Sequence, residues 1–293
     1  MRRTLDSVAA QTFRPLKLIL VDNNSTDNSL HTLLDWKKET ENDDFEIKVI
    51  EEKTPGASAA RNAALNIIDT DWTLFFDSDD IMPLDHIEKI MAAINESPEV
   101  NILGWSRKIH FLNGKIVVKN FSLKYPEFNN LSQSIFATQG YAARTEIFRK
   151  AGGWDETLSV ADDIELGSRL LKLHPSMSII SGHAVDVYES VKSITNSSNM
   201  KSMCNALDKI RGTFPENKQH LIDLQLIIQA ASWGKTDPES AGIAKNVIKN
   251  TPWPRRWLWK FFYWYQLHGG RGVARIYALT HSSDIKIHSE KGL

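Results

Sequence analysis

The chain has 293 residues, enough to bury the core of one large domain or of a domain with an appendage. Its net charge of −1 gives no support for nucleic-acid binding, so we expect no nucleic acid among its partners. Cys204 is the only cysteine, which excludes an intrachain disulfide and is typical of a reducing compartment. The sequence shows neither a signal-peptide pattern nor an apolar run long enough to span a bilayer. We therefore expect a cytoplasmic protein.

Strand and helix patterns alternate over the first third of the chain. Continuous apolar runs predict buried strands, and amphipathic or Ala-rich segments predict helices. The predicted elements in chain order are helix 2–11, strand 16–21, helix 29–40, strand 45–50, helix 58–68, strand 72–76 and helix 84–94. This alternation predicts an α/β fold with a mostly parallel sheet and helices on its faces.

Beyond Pro98 the pattern is mixed and then becomes helical. Asn113-Gly114 predicts a hairpin turn, and the polar segment 119–139 predicts an irregular loop on the substrate side. The predicted elements are strands 100–105, 109–111, 116–118 and 139–143, helices 144–151 and 163–173, strands 178–180 and 185–188, and helices 200–213, 218–233 and 239–249. We expect a boundary near residue 195, with an α/β domain over 1–195 and a helical, aromatic-rich region over 196–293.

Three carboxylates follow the predicted strand 72–76, in the sequence Asp77-Ser78-Asp79-Asp80. Carboxylates crowded together are costly without a partner, and a divalent cation is a natural one. Ligands of open α/β sheets also gather beyond the carboxyl ends of the strands. The pattern favours a metal-assisted site for a phosphorylated substrate. A solvated acidic loop, or a cluster that caps the helix after Pro83, is the alternative.

Five sequence blocks occur in an order typical of one enzyme family. They are Leu5-Asp6-Ser7-Val8 with Gln11-Thr12, the turn 21–27, Gly56 with 60–64, Asp77 to Asp80 with Pro83, and Gly152-Gly153-Trp154-Asp155-Glu156 with Asp162-Asp163, Leu166 and Arg169. With these blocks the chain resembles the family two glycosyltransferases over about residues 1–190. The resemblance implies a GT-A fold, which is Rossmann-like with a mixed, mostly parallel sheet.

The resemblance also implies a donor site for a nucleotide diphosphate sugar. Asp80 would bind Mn²⁺ or Mg²⁺, and Asp79 would contact the ribose or the metal shell. Asp22 and Asn23 would hydrogen-bond the base, which suggests a UDP-linked donor. Asn23 replaces a commoner Asp, so the identity of the base stays open, and plain turn chemistry is the alternative for both residues. Arg61 would face the diphosphate, with a surface salt bridge as its alternative.

The acceptor side is implied by the fifth block. Asp163 is the candidate general base of an inverting transfer, because the attacking acceptor hydroxyl must lose a proton. It lies at a predicted helix N-terminus, where we expect the helix dipole to keep the carboxylate ionised. Asp162 would lie beside it, and mere capping of the helix is the alternative for both residues. Trp154 would either form an apolar wall against a sugar or belong to the core.

These residues predict a metal-dependent, inverting glycosyltransferase that acts on a glycan or lipid-linked acceptor in bacterial surface polysaccharide synthesis. One alternative is a non-catalytic protein that binds sugar nucleotides or serves as a membrane scaffold. A nucleotidyltransferase is another, although it would need a Gly-rich phosphate loop that the sequence does not show. The family normally begins with a strand ahead of the first helix, whereas Met1 falls inside that helix here. We expect that the sequence lacks this strand.

The segment 253–277 combines aromatic and basic residues. No carboxylate occurs between Glu239 and Asp284, and the basic residues of this stretch are Lys245, Lys249, Arg255, Arg256, Lys260, Arg271 and Arg275. Trp257, Phe261 and Trp264 are spaced to share one helical face. Aromatic anchors among cations are typical of a helix that lies at a membrane surface. We expect peripheral contact with the inner face of the membrane, or packing of this helix on the catalytic domain.

Overall fold

The structure of the chain, a computed structural model, describes residues 1–189, 200–214, 216–233, 238–253 and 255–281. The α/β part contains α1 (Arg2–Ala9), β1 (Leu16–Asp22), α2 (Ser29–Thr40), β2 (Phe45–Glu51), α3 (Ala57–Ile67), β3 (Trp72–Leu74), α4 (His86–Glu96), β4 (Ile102–His110), β5 (Ile116–Lys119), α5 (Pro126–Gln133), β6 (Tyr141–Arg144), α6 (Thr145–Ala151), α7 (Asp162–Lys172) and β7 (Met177–Tyr188). The helical part contains α8 (Met200–Arg211), α9 (His220–Trp233), α10 (Pro238–Asn250), α11 (Arg255–Leu267) and α12 (Val273–Thr280).

The strands of the described residues form two sheets. β1 and β2 form a parallel pair in which Asp22 lies opposite Glu51. In the second sheet β6 pairs with β3 and with β4, β5 pairs with β4, and all three pairings are antiparallel, while β7 runs parallel to β4. The α/β class and the mixed sheet agree with the sequence prediction. The parallel share is smaller than predicted, because β5 follows β4 through a hairpin and β6 runs against both of its neighbours.

Two parts of the sequence form more regular structure than their patterns indicated. Helix α5 lies inside the segment 119–139 that was predicted as a loop, and it buries Phe128 and Leu131. The predicted strands 100–105 and 109–111 are one strand, β4, and the predicted strands 178–180 and 185–188 are one strand, β7. Charged Arg107 and Lys108 interrupt the apolar pattern of β4, but its backbone pairing with β7 continues past them.

The helical part shares a core with the α/β part. One cluster combines Phe128 of α5 and Ile164 of α7 with buried residues of the C-terminal helices, among them Trp259, Phe262 and Tyr277. Three smaller clusters lie around the two sheets. The predicted boundary near residue 195 falls in 190–199, outside the described residues. Across the described ranges, we find no helix with the length and apolar character needed to cross a membrane.

Candidate active site

The acidic turn after β3 leaves one buried carboxylate oxygen without a partner. Asp80 is 1% exposed. Its Oδ1 accepts a hydrogen bond of 2.8 Å from the backbone N–H of Tyr188, at the end of β7. Its Oδ2 is buried and has no hydrogen-bond partner within the described part of the chain. Burial raises the pKa of Asp80 to about 7, and the charges of Asp77 and Asp79 act in the same direction.

Helix α1 fixes the backbone of this turn. The Thr4 hydroxyl donates to the carbonyl oxygen of Ser78 at 2.8 Å, and the Arg3 guanidinium donates to the carbonyl oxygen of Asp79 at 2.8 Å. The side chain of Asp79 is exposed. The turn therefore presents one exposed and one buried carboxylate on a backbone held by hydrogen bonds from a neighbouring helix.

This arrangement fits a hard divalent cation. An unpaired buried carboxylate oxygen beside a second carboxylate is the donor chemistry that Mg²⁺ and Mn²⁺ prefer. No cluster of three or more His, Cys, Asp or Glu side chains with metal-binding geometry occurs among the described residues. The protein would therefore supply few ligands, and most coordination positions would remain for substrate oxygens or water.

Arg61 of α3 joins this turn to α7. Its Nη2 lies 2.9 Å from Asp77 Oδ1, and its Nη1 lies 2.9 Å from Asp162 Oδ2. Burial lowers the pKa of Arg61, but Asp77 and Asp162 raise it by more, so the net shift is upward. The side chain is 16% exposed, so the salt bridge named as its alternative is present, but as a largely buried pair of contacts rather than at the surface. Since both terminal nitrogens contact carboxylates, Arg61 positions the site, and its contact with a diphosphate stays a prediction.

Asp163 lies beside this bridge in the first turn of α7. The carboxylate is half-buried, and its Oδ1 accepts from the backbone N–H of Ile164 at 2.8 Å. Burial raises its pKa to about 6, the charge of Asp162 adds to this rise, and Arg107 opposes it. Asp163 does lie at a helix N-terminus, as expected, but burial and the neighbouring negative charge raise its pKa. A base with this pKa is still mostly ionised at neutral pH.

The carboxyl end of β1 carries Asp22 and Asn23. Asp22 is buried, its Oδ2 accepts from the backbone N–H of Ser25 at 3.2 Å, and its Oδ1 has no partner among the residues that the structure describes. Asn23 joins β1 to the loop after β2. Its Oδ1 accepts from Gly56 N–H at 2.7 Å, and its Nδ2 donates to the carbonyl oxygens of Thr54 and Glu52 at 2.7 and 3.2 Å. Of the two predicted base contacts, Asp22 has the free acceptor.

Trp154 occupies the core. It is 3% exposed, and its ring lies 4.5 Å from Phe75 and 5.4 Å from Phe148, measured between ring centroids. Asn62 of α3 accepts from the Trp154 N–H and donates to its carbonyl oxygen. Gly153 has φ 68°, and a Cβ there would lie 2.5 Å from Asn62 Oδ1. The structure thus shows the core alternative for Trp154, and a sugar contact stays a prediction.

Sequence patterns missed Gln139 and Arg107. The Gln139 side-chain amide donates to Asp77 Oδ2 at 2.5 Å, and the backbone carbonyl oxygen of Gln139 accepts from the Trp105 indole N–H at 2.7 Å. Arg107 is 7% exposed, and its charge acts on Asp163. Gln139 stood where the predicted loop 119–139 meets the predicted strand 139–143, and Arg107 stood between the predicted strands 100–105 and 109–111. For Arg107, the one indication in the sequence was a charged residue between two apolar strand patterns.

Solved structures with the same fold are glycosyltransferases. TarS from S. aureus in complex with UDP-GlcNAc superposes with a TM-score of 0.65 at 18% identity, over 95% of this chain and 88% of that one. The mannosyltransferase PcManGT from Pyrobaculum calidifontis, in complex with GDP-Man and Mn²⁺, gives a TM-score of 0.53 at 14% identity, over 95% and 82%. At these identities the likeness establishes the fold, which is the GT-A fold of glycosyltransferases.

The family model described as glycosyl transferase family 2 matches residues 1–151, about half of the chain, so the chain belongs to that family. Among similar proteins, the glycosyltransferase GlyA of Streptococcus pneumoniae is 35% identical over 96 residues, which are 33% of this chain and 13% of that protein. An uncharacterized glycosyltransferase of Haemophilus influenzae is 25% identical over 173 residues, 57% and 56% of the two chains. The poly(ribitol-phosphate) beta-glucosyltransferase of Bacillus spizizenii is 33% identical over 141 residues, 46% and 21%. The chain thus spans between 13% and 56% of the length of these relatives.

Proposed function

We propose that this glycosyltransferase is metal-dependent and inverting, and that it takes its sugar from a UDP-linked donor. The observation that carries the proposal is the unpaired, buried Oδ2 of Asp80 beside the exposed carboxylate of Asp79. Asp80 and Asp79 would hold Mn²⁺ or Mg²⁺. When bound, such a cation offsets the negative charge that develops on the departing diphosphate.

Asp163 acts as the general base on the acceptor hydroxyl. The hydroxyl oxygen forms a bond to the anomeric carbon, while the bond from that carbon to the diphosphate oxygen breaks and the configuration inverts. The hydroxyl proton goes to Asp163, and the bonding electron pair leaves with the diphosphate. A pKa of about 6 supports this role, since the carboxylate is ionised near neutral pH yet basic enough to take a proton. Asp162 and Arg61 hold the neighbouring side of the site through their ion pair.

The buried Oδ1 of Asp22 supports recognition of the nucleotide base. It is an acceptor without a partner in the part of the chain that the structure describes, so a ring N–H of a base could donate to it. Uracil and guanine both carry such an N–H group, and a UDP-sugar and a GDP-sugar each occupy a solved structure with this fold. TarS is the more similar of these two structures, and it favours UDP for this chain.

A thermal-shift experiment tests the donor site. Melting temperatures are measured with UDP, GDP, CDP and TDP, each with and without Mn²⁺, for the wild type and for Asp80→Asn. Asn retains an Oδ1 acceptor for the Tyr188 N–H, so the fold should survive. We expect a metal-dependent rise with UDP, because a ligand of the native state stabilises it by mass action. Asp80→Asn should abolish that rise.

Asp85→Asn is the matched control, since Asp85 is partly exposed and pairs with Lys89 rather than with the acidic turn. It should behave like the wild type. A rise that is independent of Mn²⁺, or that survives in Asp80→Asn, would contradict the metal role. No rise with any nucleotide would support the alternative of a non-catalytic membrane scaffold.

The acceptor that we propose is a glycan or lipid-linked sugar of a bacterial surface polymer. A poly(ribitol-phosphate) beta-glucosyltransferase among the similar proteins supports this class. The test is radiolabelled sugar transfer from the donor found above to membrane and wall fractions of the source cell. Label that appears only in free sugar, and not in polymer, would contradict the acceptor class.

We propose further that α11 contacts a membrane surface. Trp253, Trp257, Phe261 and Trp264 each expose half or more of the side chain, and the Lys260 ammonium lies 4.8 Å from the Trp257 ring centroid. Large aromatic residues beside cations suit the headgroup region of anionic lipids. The triple variant with Ser at 257, 261 and 264 should lose sedimentation with phosphatidylglycerol vesicles. Leu279→Ser, another exposed apolar site, should retain it. Equal sedimentation of both variants would contradict the proposal.

A further inference from the structure

Two cationic side chains lie opposite each other in the β4–β5 hairpin. Arg107 of β4 and Lys119 of β5 are paired in the antiparallel register. Directly opposed residues on antiparallel strands point to the same face, and like charges there destabilise the pair. Arg107 is buried and Lys119 is half-buried, so solvent screens their repulsion only in part. The hairpin therefore carries an electrostatic cost that the fold alone does not require.

Neither cation is neutralised by a protein carboxylate in contact with it. Within the described ranges no Asp or Glu oxygen lies within 4.0 Å of either side chain, although Arg61, Arg169 and Arg211 all have such partners. Arg107 donates instead to the carbonyl oxygen of Ser134 at 2.7 Å. Burial lowers the pKa of both Arg107 and Lys119, which is the signature of a charge that lacks a close counter-ion.

The guanidinium of Arg107 is held in place by its surroundings. The bond to Ser134 fixes one end, and a Cβ at Gly140 would lie only 3.1 Å from Arg107 Nε. Gly140 follows Gln139, which binds Asp77 of the acidic turn. The backbone thus approaches the guanidinium closely at the edge of the site, and Arg107 is pre-positioned rather than free to seek a surface partner.

The two cations lie on the side of the site that holds the proposed base. The charges of Asp163 and Asp80 both act on Arg107, whereas among these two only Asp163 acts on Lys119. The contact of Gly140 with Arg107, next to the Gln139–Asp77 hydrogen bond, places Arg107 at the edge of the site, and the strand register places Lys119 directly opposite Arg107. A ligand that reaches Lys119 would lie beside the acceptor hydroxyl rather than beside the nucleotide.

We propose that Arg107 and Lys119 form a binding site for an anionic group, of the phosphate class, that the acceptor carries next to its reactive hydroxyl. The site rests on the proposed function for the role of Asp163 as the base. The planar fork of an arginine can bind two phosphate oxygens, and a lysine adds a mobile point charge. An anion between the two side chains would remove their repulsion and supply the counter-ion that both lack.

The test measures binding of sn-glycerol 3-phosphate and of glycerol by titration calorimetry at low ionic strength. Each probe is titrated into the protein alone and into the protein with UDP and Mn²⁺. The variants are Lys119→Gln, Arg107→Lys and the control Lys108→Gln. Lys108 is exposed and adjacent to Arg107 on β4, but it lies on the opposite face of the sheet.

We expect glycerol 3-phosphate to bind the wild type and Lys108→Gln alike, and glycerol not to bind. Lys119→Gln should lower the affinity for glycerol 3-phosphate by about tenfold or more. This is the loss of affinity expected when one hydrogen bond to a charged group is removed. Arg107→Lys keeps the charge and the fold but loses the fork, so we expect a smaller weakening. UDP affinity should stay within about twofold in Lys119→Gln, because the proposed anion site serves the acceptor and not the donor.

Equal binding of glycerol 3-phosphate by Lys119→Gln and the wild type would overturn the proposal. Competition between the phosphate probe and UDP, together with weaker UDP binding in Lys119→Gln, would also overturn it, since the cations would then serve the donor diphosphate. Failure of every nucleotide to bind would refute the proposed function. The phosphate titration without nucleotide would then still decide whether the anion site exists.

Discussion

The α/β part and the helical part of this chain bury different kinds of side chain. Among the described residues, Asp22, Asp80, Arg107 and Glu165 are buried charged residues, and all four lie in the α/β part. The buried residues of 200–281 are apolar or aromatic, with four polar exceptions, His220, Gln225, Ser240 and Thr251. Glu165 pairs with Arg169, but the other three buried charges have incomplete partners. Burial in the helical part is therefore almost wholly apolar, whereas the α/β part buries, besides its apolar core, charged groups that are costly without full partners.

Asp163→Asn gives the strongest test of this difference, because it should remove activity and leave the fold intact. The amide oxygen can still accept from the Ile164 N–H, but an amide cannot take the acceptor proton. We expect the initial rate of UDP release from the donor in the presence of acceptor to fall by about 10²- to 10⁴-fold. The UDP affinity should be unchanged, and the melting temperature should not fall, because the raised pKa of Asp163 means that its ionised carboxylate costs stability near neutral pH.

Asp208→Asn in the helical part is the control for this substitution, since its side chain is 73% exposed. It should keep the wild-type rate. A fall of less than about tenfold in Asp163→Asn would exclude a general-base role and leave the residue as a helix cap.

Trp259→Ala should have the opposite effect, a large loss of stability through the helical core. Trp259 is fully buried and contacts Tyr277 and Phe262, so truncation leaves a cavity. We expect a loss of about 3–5 kcal/mol in the free energy of unfolding, measured with urea. Because this cluster includes Phe128 and Ile164, the α/β part should unfold in the same transition.

Trp257→Ala on the same helix is the matched control, since its side chain is 61% exposed. We expect a change within about 0.5 kcal/mol. Equal losses from the two substitutions would show that α11 does not use its Trp259 face for packing.

Sequence patterns predicted most element positions to within a few residues, because apolar periodicity is a local signal. Helix 29–40 and strand 45–50 correspond to Ser29–Thr40 and Phe45–Glu51. Helix α5 was missed because only Phe128 and Leu131 mark its buried face within a polar segment. The contacts that bury this face come from α7 and from the C-terminal helices, both of which lie far from α5 in the sequence.

The candidate site was less accessible from the sequence than the fold. The acidic turn and Asp163 could be identified because each block resembles a family motif. The ion pairs of Arg61 and the approach of Arg107 to the site depend on residues distant in sequence, so no local pattern reveals them. The free oxygen on Asp22, and the full use of Asn23 by a neighbouring loop, also appear only in three dimensions.

Asp80→Asn should stabilise the metal-free protein, which would show that function and stability conflict at this turn. Burial raises the pKa of Asp80 from 3.8 to about 7. For a carboxyl with a raised pKa, the folded state loses stability as the pH rises from the unfolded value toward the folded value, and the full loss is present above about 7. We expect a gain for Asp80→Asn on the order of 2–4 kcal/mol at pH 8 in the presence of a chelator, and little gain near pH 4.

The melting temperature as a function of pH measures this effect. Lys89 lowers the pKa of Asp85, so Asp85→Asn should show no such gain at pH 8. An equal gain for Asp80→Asn at both pH values would mean that packing, rather than ionisation, is responsible.

The smallest expected effect is a shift in the acid limb of the profile of kcat/KM against pH. It tests whether the neighbours of Asp163 set the pKa of this proposed base. If Asp163 is the base, kcat/KM should fall about tenfold per pH unit below a pKa of about 6, instead of near the usual 3.8 of an aspartate. The charge of Asp162 contributes to this rise, so Asp162→Asn should move the limb to lower pH. Asp162→Asn also removes one ion pair of Arg61. The positive charge of Arg61 would then lower the pKa of Asp163 further, which moves the limb to lower pH as well. A limb that stays in place in Asp162→Asn would assign the titration to another group. A limb that moves to lower pH would show that the charge of Asp162 sets the pKa of Asp163. Such electrostatic coupling is open to the charged residues of the α/β part but not to the apolar core of the helical part.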